Sequence, residues 1–204
     1  MAATFQARCQ DNVDSTNTHM SGQNVSEKPV QIPDLLQVYK DVFDGSLGCL
    51  GEPLHLDIED SVTPVQIPTR KVSIALRQHL EAELKRLASL GVLEPVEGPT
   101  DCISSLVMVR KPNGTLRICL DPKPLNRALK RSHYSMSTIE DLIPQLFKAK
   151  VYTVCDLQNG FWHIALDHES SLLTTFGTPF GRFRWKRMPF GISPAPELFQ
   201  RRLQ

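Results

Sequence analysis

Apolar positions along this chain change rhythm several times, and each rhythm predicts an element. In "SIALRQHLEAELKRLASLG" Leu76, Leu80, Leu84 and Leu87 recur at helical spacing on an otherwise charged segment, and Gly91 stands where a C′ residue is expected. Arg77–Glu81 and Glu81–Lys85 are opposite charges four residues apart, each worth about 0.3 kcal/mol to that helix. The period then drops to two. "ISSLVMVRK" and "TLRICLD" read as strands joined by the turn "KPNG", a hairpin with Lys111 near its turn. Leu116, Ile118 and Leu120 share one face of the second strand; Arg117, Cys119 and Asp121 share the other. "STIEDLIPQLF" opens like a capping box from Ser137 to Glu140, and Pro144 should kink or shorten the helix that follows. "VYTVCD" reads as a strand, and "HIALD", "LLTTF" and "GRFRWKRM" as further strands, with turns at His168–Ser171 and "GTPFG". "SPAPELFQRRLQ" begins a helix with Ser193 as N-cap, Pro194 at the first position and Glu197 in the first turn. That helix reaches Gln204 without a C-cap, which reads as an interrupted element.

Outside these segments the pattern weakens. Residues 1–30 are polar, without periodicity, and are expected to be disordered. Residues 31–70 carry scattered apolar residues, prolines and acidic positions, and read as an extended lead-in with short strand pieces such as "LHLDI". The remainder, 71–204, is where a packed domain is expected. No apolar run approaches a membrane span, and the N-terminus has no apolar signal core, so the expectation is an intracellular protein, without distinguishing cytoplasm from nucleus. Five widely spaced cysteines, none in a CxxC pair, read as reduced packing residues.

Charge adds a polarity that the net value of +1 conceals. Residues 1–100 carry 8 Lys and Arg against 14 Asp and Glu, a net of −6; residues 101–204 carry 15 against 8, a net of +7. The second half is a candidate polyanion-facing surface, or simply a solvated basic face.

The candidate chemistry centres on "VYTVCDLQNGFWHI". A strand that ends on Asp156 beside a tight turn suits a metal–phosphate site, with the carboxylate as a hard oxygen ligand and the amides of Gln158–Phe161 facing phosphate oxygens. A carboxylate that merely caps the next turn has the same local sequence.

The wider arrangement separates these readings. "VRKPNGTLRICLDPKPLN", "AKVYTVCDLQNGFWHI" and "GRFRWKRMPFGISPAPELFQRRL" follow one another in order, and together they resemble the reverse transcriptase of gypsy-type long-terminal-repeat retrotransposons over roughly residues 36–204. The resemblance implies an α+β fold: the fingers of a right-hand polymerase over 71–131 and 164–194, and palm pieces over 132–163 and 195–204. By resemblance Asp156 is a catalytic aspartate and a Mg²⁺ ligand, and Phe161 lies under the incoming sugar and rejects a ribose 2′-OH. Lys111 and Arg117 match cations that grip the triphosphate, Asp121 orients them, and Lys123 stands where most relatives have Arg. Asn126 ties the following turn, Phe190 and Gly191 line the nucleotide pocket, and Trp185 and Met188 pack. The implied activity is RNA-directed DNA polymerase, with deoxynucleotides and an RNA/DNA primer–template as partners. Relatives also carry an aromatic-x-Asp-Asp hairpin further on, and no Asp-Asp pair occurs in this sequence. The expectation is therefore a fragment truncated before the second catalytic motif. It would lack the rest of the palm, the thumb, connection and RNase H, and be inactive alone because one carboxylate cannot build a two-metal clamp. The alternative is a non-catalytic nucleic-acid-binding module derived from a retroelement. The strand of Asp156 is expected to present an open edge, and the fragment to be marginally stable.

Overall fold

The computed structural model describes residues 3–6, 37–59, 61–110, 114–131, 134–136, 138–147 and 154–204. Its elements run β1 (Ala3–Gln6), α1 (Ile74–Ser89), β2 (Leu93–Val96), β3 (Ser105–Arg110), β4 (Leu116–Asp121), α2 (Lys123–Ala128), α3 (Ile139–Leu146), β5 (Val154–Leu157), α4 (His168–Leu173), β6 (Phe176–Thr178), β7 (Gly181–Trp185) and α5 (Ala195–Leu203). Short 3-10 turns lie at Lys40–Val42 and Gly160–His163. The chain divides into two compact units, Met1–Ser46 with Ser137–Gln158, and Leu47–Met136 with Asn159–Gln204.

In the first unit β1 pairs antiparallel with β5, Thr4 opposite Asp156. Most of the segment 1–30, expected to be disordered, lies outside the described residues, but Ala3–Gln6 form a strand. The strand of Asp156 thus has a neighbour on one edge, supplied by the N-terminus. Helix α3 is capped by Thr138, whose side chain and backbone N–H both reach the Asp141 carboxylate at 2.9 and 2.8 Å. The capping box is therefore Thr138–Asp141 and not Ser137–Glu140; Ser137 itself lies outside the described residues. Pro144 sits inside α3, which ends two residues later at Leu146.

The second unit holds the core. Leu80, Leu84 and Leu87 of α1 are buried, and the apolar stripe read from the sequence is the face that packs. Helix α1 closes with Gly91 at φ +67°, Gly91 N–H donating to Ala88 O at 3.0 Å and Val92 N–H to Leu87 O at 2.9 Å. This is a Schellman closure, in which the left-handed residue must be one without a Cβ penalty. Of the two ion pairs expected on α1, Lys85–Glu81 forms at 2.7 Å, whereas Arg77 turns back to Val72 O. Strands β2, β7 and β6 form one antiparallel sheet with β7 central, pairing Leu93 with Trp185 and Phe176 with Phe183. Trp185, Phe176, Ile164 and Met188 fill the space beneath it without exposure, Trp185 and Met188 as expected.

The hairpin β3–β4 has the predicted alternation, with Val109 opposite Arg117 and Ser105 opposite Asp121. Two expectations fail between residues 164 and 175. "HIALD" is not a strand; it makes only isolated bridges from Ala165 and Leu166. His168–Leu173, expected as a turn running into a strand, is helix α4, with Asp167 as N-cap accepting from Ser170 N–H at 2.8 Å. Helix α5 begins one residue later than expected, at Ala195 after the N-cap Pro194.

Residues 47–59 run extended over this unit and are bonded along their length. Gly48 N–H donates to His163 Nδ1 at 3.1 Å, Leu50 N–H to His163 O at 2.7 Å, and Leu54 N–H to Ala165 O at 2.8 Å. Leu56 N–H donates to Ser170 Oγ at 2.7 Å, and Glu59 N–H to Ala128 O at 2.8 Å. Arg202 reaches the carbonyls of Leu50 and Glu52 at 3.1 and 2.9 Å. No helix among the described residues is long and apolar enough to cross a membrane.

Candidate functional site

The period of two in β4 decides where its polar groups go. Ile118 and Leu120 are buried, and Arg117, between them and Leu116, is exposed on the opposite face. Its guanidinium carbon lies 5.1 Å from the centre of the Phe190 ring, a cation–π contact worth about 0.5–1 kcal/mol at an exposed site. Phe190 is held there by its backbone. Leu120 N–H donates to Phe190 O at 3.0 Å, and Gly191 follows at φ +112°. A Cβ at Gly191 would lie 1.9 Å from Leu120 O, so only glycine lets this loop approach β4 so closely. Asn126 of α2 closes the loop from the other side. Its Nδ2 donates to Gly191 O at 2.8 Å and its Oδ1 accepts from Ser193 N–H at 2.8 Å. Asn126 therefore fastens a segment 65 residues away and not the turn that follows it.

Phe161, half-buried, stands behind Phe190, with ring centres 5.2 Å apart, and meets Phe199 of α5 edge-on at 5.5 Å. Such pairs add about 0.5–1.5 kcal/mol each beyond their area. Three aromatic rings from the 3-10 turn, the 189–191 loop and α5 thus form one patch under the Arg117 guanidinium. The turn before Phe161 is set by Asn159 at φ 52°, whose carbonyl accepts from Trp162 N–H at 2.8 Å.

Beside this patch opens a cavity of about 350 Å³ lined by Arg117, Phe190, Asn159, Trp162 and, from α1, Glu83 and Arg86. Of these Arg117 and Phe190 were singled out from the sequence by their side chains, and Asn159 only within the turn amides of Gln158–Phe161. The "QNG" turn after a strand was the available signal for Asn159. Glu83 and Arg86 gave none, because on α1 they read as part of its solvated face.

The other expected residues lie as follows. Asp121, half-buried on the face of Arg117, gives its carboxylate to Arg70 of the lead-in at 2.9 Å, a different cation from those it was expected to orient. Lys123 is exposed at the first position of α2. Lys111 lies outside the described residues. Asp156 is exposed on β5 and belongs to the first unit, whereas Arg117, Phe161, Phe190 and Gly191 belong to the second. Among the described residues no group of three His, Cys, Asp or Glu could hold a metal ion. Cys119, between Arg117 and Asp121 on β4, is a free thiol whose pKa burial pushes up, with the nearby guanidinium opposing.

Residues 109–204 match the family model of reverse transcriptase (RNA-dependent DNA polymerase). An uncharacterized protein of Caenorhabditis elegans is 34% identical over 166 residues, 80% of this chain and 13% of that protein. The enzymatic polyprotein of cauliflower mosaic virus is 29% identical over 150 residues, 72% of this chain and 22% of the polyprotein. This chain therefore spans only a small part of the curated relatives it matches. Among solved structures, prototype foamy virus protease–reverse transcriptase superposes with a TM-score of 0.72 at 22% identity, over 84% of this chain and 23% of that one. The foamy viral enzyme in complex with RNA/DNA hybrid superposes at 0.66. The chain has the mixed helix-and-strand fold of part of a reverse transcriptase, and over residues 109–204 its sequence is similar to that family.

Proposed function

We propose that this chain is a piece of a retroelement reverse transcriptase of the gypsy type, and that the cavity beside Arg117 and Phe190 receives a deoxynucleoside triphosphate. The observation that carries the reading is the Arg117 guanidinium stacked at 5.1 Å over Phe190, with Phe161 behind it, at the edge of a polar cavity of about 350 Å³. A guanidinium there binds phosphate as a fork or stacks on a base. Phe161 is the bulky ring that would exclude a ribose 2′-OH, and Gly191 lets the Phe190 loop sit close to β4. Lys111 and Lys123 are assigned to the same ligand as further cations, and Asp121 to their support.

Asp156 would supply one hard oxygen ligand to a Mg²⁺ ion, and the chemistry such an ion supplies when bound is charge neutralisation of phosphate oxygens. The described residues do not fit a two-metal site, since no group of three His, Cys, Asp or Glu comes together among them. The sequence also has no Asp-Asp pair. The 204-residue chain is accordingly proposed to bind nucleotide without extending a primer.

Equilibrium binding of dATP and ATP to the full chain, and to Arg117→Ala, tests this. The expected result is tighter binding of dATP than ATP, weakened about tenfold by the substitution. Equal affinity of the variant would overturn the cavity assignment. Template-dependent extension abolished by Asp156→Asn would overturn the proposed inactivity.

A further inference from the structure

Two ion pairs on α1 look alike in sequence and differ in the structure. Lys85 and Glu81 are both well exposed, 75% and 43% by side chain, as a solvated helix pair should be. In Arg86–Glu83 the carboxylate is only 16% exposed while the guanidinium is 50% exposed, so the acid lies inward and the base covers it. Both sides of the fork are engaged: Arg86 Nε donates to Glu83 Oε2 and Nη2 to Oε1, each at 2.8 Å. The geometry leaves Nη1 outside the pair. Both residues line the cavity that Arg117, Asn159 and Phe190 line from the other elements. Arg86 also stands on fixed backbone, since its carbonyl accepts from Leu90 N–H at 3.1 Å in the turn that Gly91 closes.

A triphosphate brings several negative charges into a site where Arg117 is already spent partly on an aromatic face. With Glu83 and Arg86 neutralising each other, the wall opposite is electrically balanced until the carboxylate is outcompeted. We infer that Arg86 is a second triphosphate-binding guanidinium of this cavity, and that Glu83 holds it oriented and partly neutralised, weakening the site for phosphate. This rests on the nucleotide reading of the cavity and adds to it a cation that competes between an internal carboxylate and the ligand's phosphates.

The two substitutions have opposite signs, which a purely structural ion pair would not produce. Binding is measured on the full chain with dATP and with deoxyadenosine, which shares the base and sugar but has no phosphate. Arg86→Ala is expected to weaken dATP about tenfold and to leave deoxyadenosine within about twofold. Glu83→Gln is expected to tighten dATP about threefold, because a carboxylate leaves the cavity wall and the guanidinium is released. Should Arg86→Ala fail to fold, Arg86→Lys, which keeps the charge and loses the fork, is expected to weaken dATP about threefold. Equal losses for dATP and deoxyadenosine, or weaker dATP binding in Glu83→Gln, overturn the inference. If Arg117→Ala weakens dATP and Arg86→Ala does not, Arg86 alone is misassigned. If neither does, the cavity reading falls with it.

Discussion

Gly191→Ala tests the joint between β4 and the aromatic patch most directly. The added methyl would meet Leu120 O at 1.9 Å and Leu120 C at 2.9 Å, both backbone atoms that cannot swing aside, with Pro122 Cδ at 3.4 Å. Relief requires the 189–193 loop to move off β4. That movement breaks Leu120 N–H to Phe190 O, Asn126 Nδ2 to Gly191 O and Ser193 N–H to Asn126 Oδ1, of 3.0, 2.8 and 2.8 Å. At about 1 kcal/mol net each these come to about 3 kcal/mol. A side chain at φ +112° adds about 1–2 kcal/mol of backbone strain. The expected loss is therefore about 4–5 kcal/mol, a large share of the roughly 5–15 kcal/mol typical of whole domains. Gly91→Ala supplies the control: its φ is also positive, at +67°, but nothing lies within 4 Å of the added carbon, so only strain of about 1 kcal/mol applies. Urea unfolding of both variants measures the difference, and dATP binding reports whether Phe190 has left Arg117. If Gly191→Ala costs no more than Gly91→Ala, the close approach to β4 is not what demands glycine here.

Other consequences follow from the same contacts. The hydrogen bond to Asp167 lifts the His55 imidazole above its ordinary value of 6.5, with burial opposing. Burial pushes the Asp167 carboxyl up, but the bonds from Ser170 and His55 outweigh it and leave it below 3.8. The raised histidine stabilises fully below pH 6.5 and ceases to as pH rises through its folded value, while the depressed acid stabilises above pH 3.8. The unfolding midpoint of His55→Ala should thus fall furthest below wild type between pH 3.8 and pH 6.5 and approach it as pH rises through the folded value of His55; a gap that does not vary with pH counts against the pairing. Leu84→Ala, at a position 2% exposed in the core, should cost about 3 kcal/mol by urea unfolding, and a loss under about 1 kcal/mol would mean that α1 does not pack as described. Glu94→Gln removes the shared partner of Arg184 at 2.9 Å and Lys186 at 3.1 Å. Because these groups are partly solvated the loss should be only about 0.5 kcal/mol, shrinking in 1 M salt; a salt-independent loss would point to packing instead.

How far the sequence anticipated this fold depends on whether a local signal was unique. Helix α1 was legible because four leucines and one glycine admit a single reading. The β3–β4 hairpin was legible because a strict period of two fixes which side chains face inward. The cap of α3 was misplaced by one residue because "STIED" contains two capping boxes, Ser137 with Glu140 and Thr138 with Asp141, and backbone entry chose between them. Helix α4 was missed although Asp167 three residues before Ser170 is itself a cap signal; the pair Leu172–Leu173 before two threonines looked like a strand. In the structure those threonines end the helix, Thr174 and Thr175 donating their hydroxyls back to Ser171 O and Leu172 O at 2.7 and 2.6 Å. Non-local partners were out of reach. Nothing near Asp121 in sequence names Arg70, and nothing in a polar N-terminus names Ala3–Gln6 as the neighbour of β5.

The charge polarity shows why composition is a poor guide to surface. The basic half was read as facing a polyanion or solvent, yet much of its charge turns inward. Arg184 and Lys186 bind Glu94, Arg182 reaches Glu97 O and Thr100 Oγ1, Arg187 reaches Gly48 O, and Arg202 clasps the carbonyls of Leu50 and Glu52. These acceptors lie in the acidic half, although only Glu94 among them is charged, and Arg184 and Arg187 also reach His168 and Trp162 O in the basic half. Residues 48–52 are thus fastened by guanidinia from the segment after β7 and from α5, through carbonyls that carry no charge. Arg117 departs from this pattern. It stands on a strand face where, among the described residues, an aromatic ring holds it at the mouth of a cavity. That placement of Arg117 against an aromatic face, more than the net charge, supports a phosphate-bearing ligand at this site.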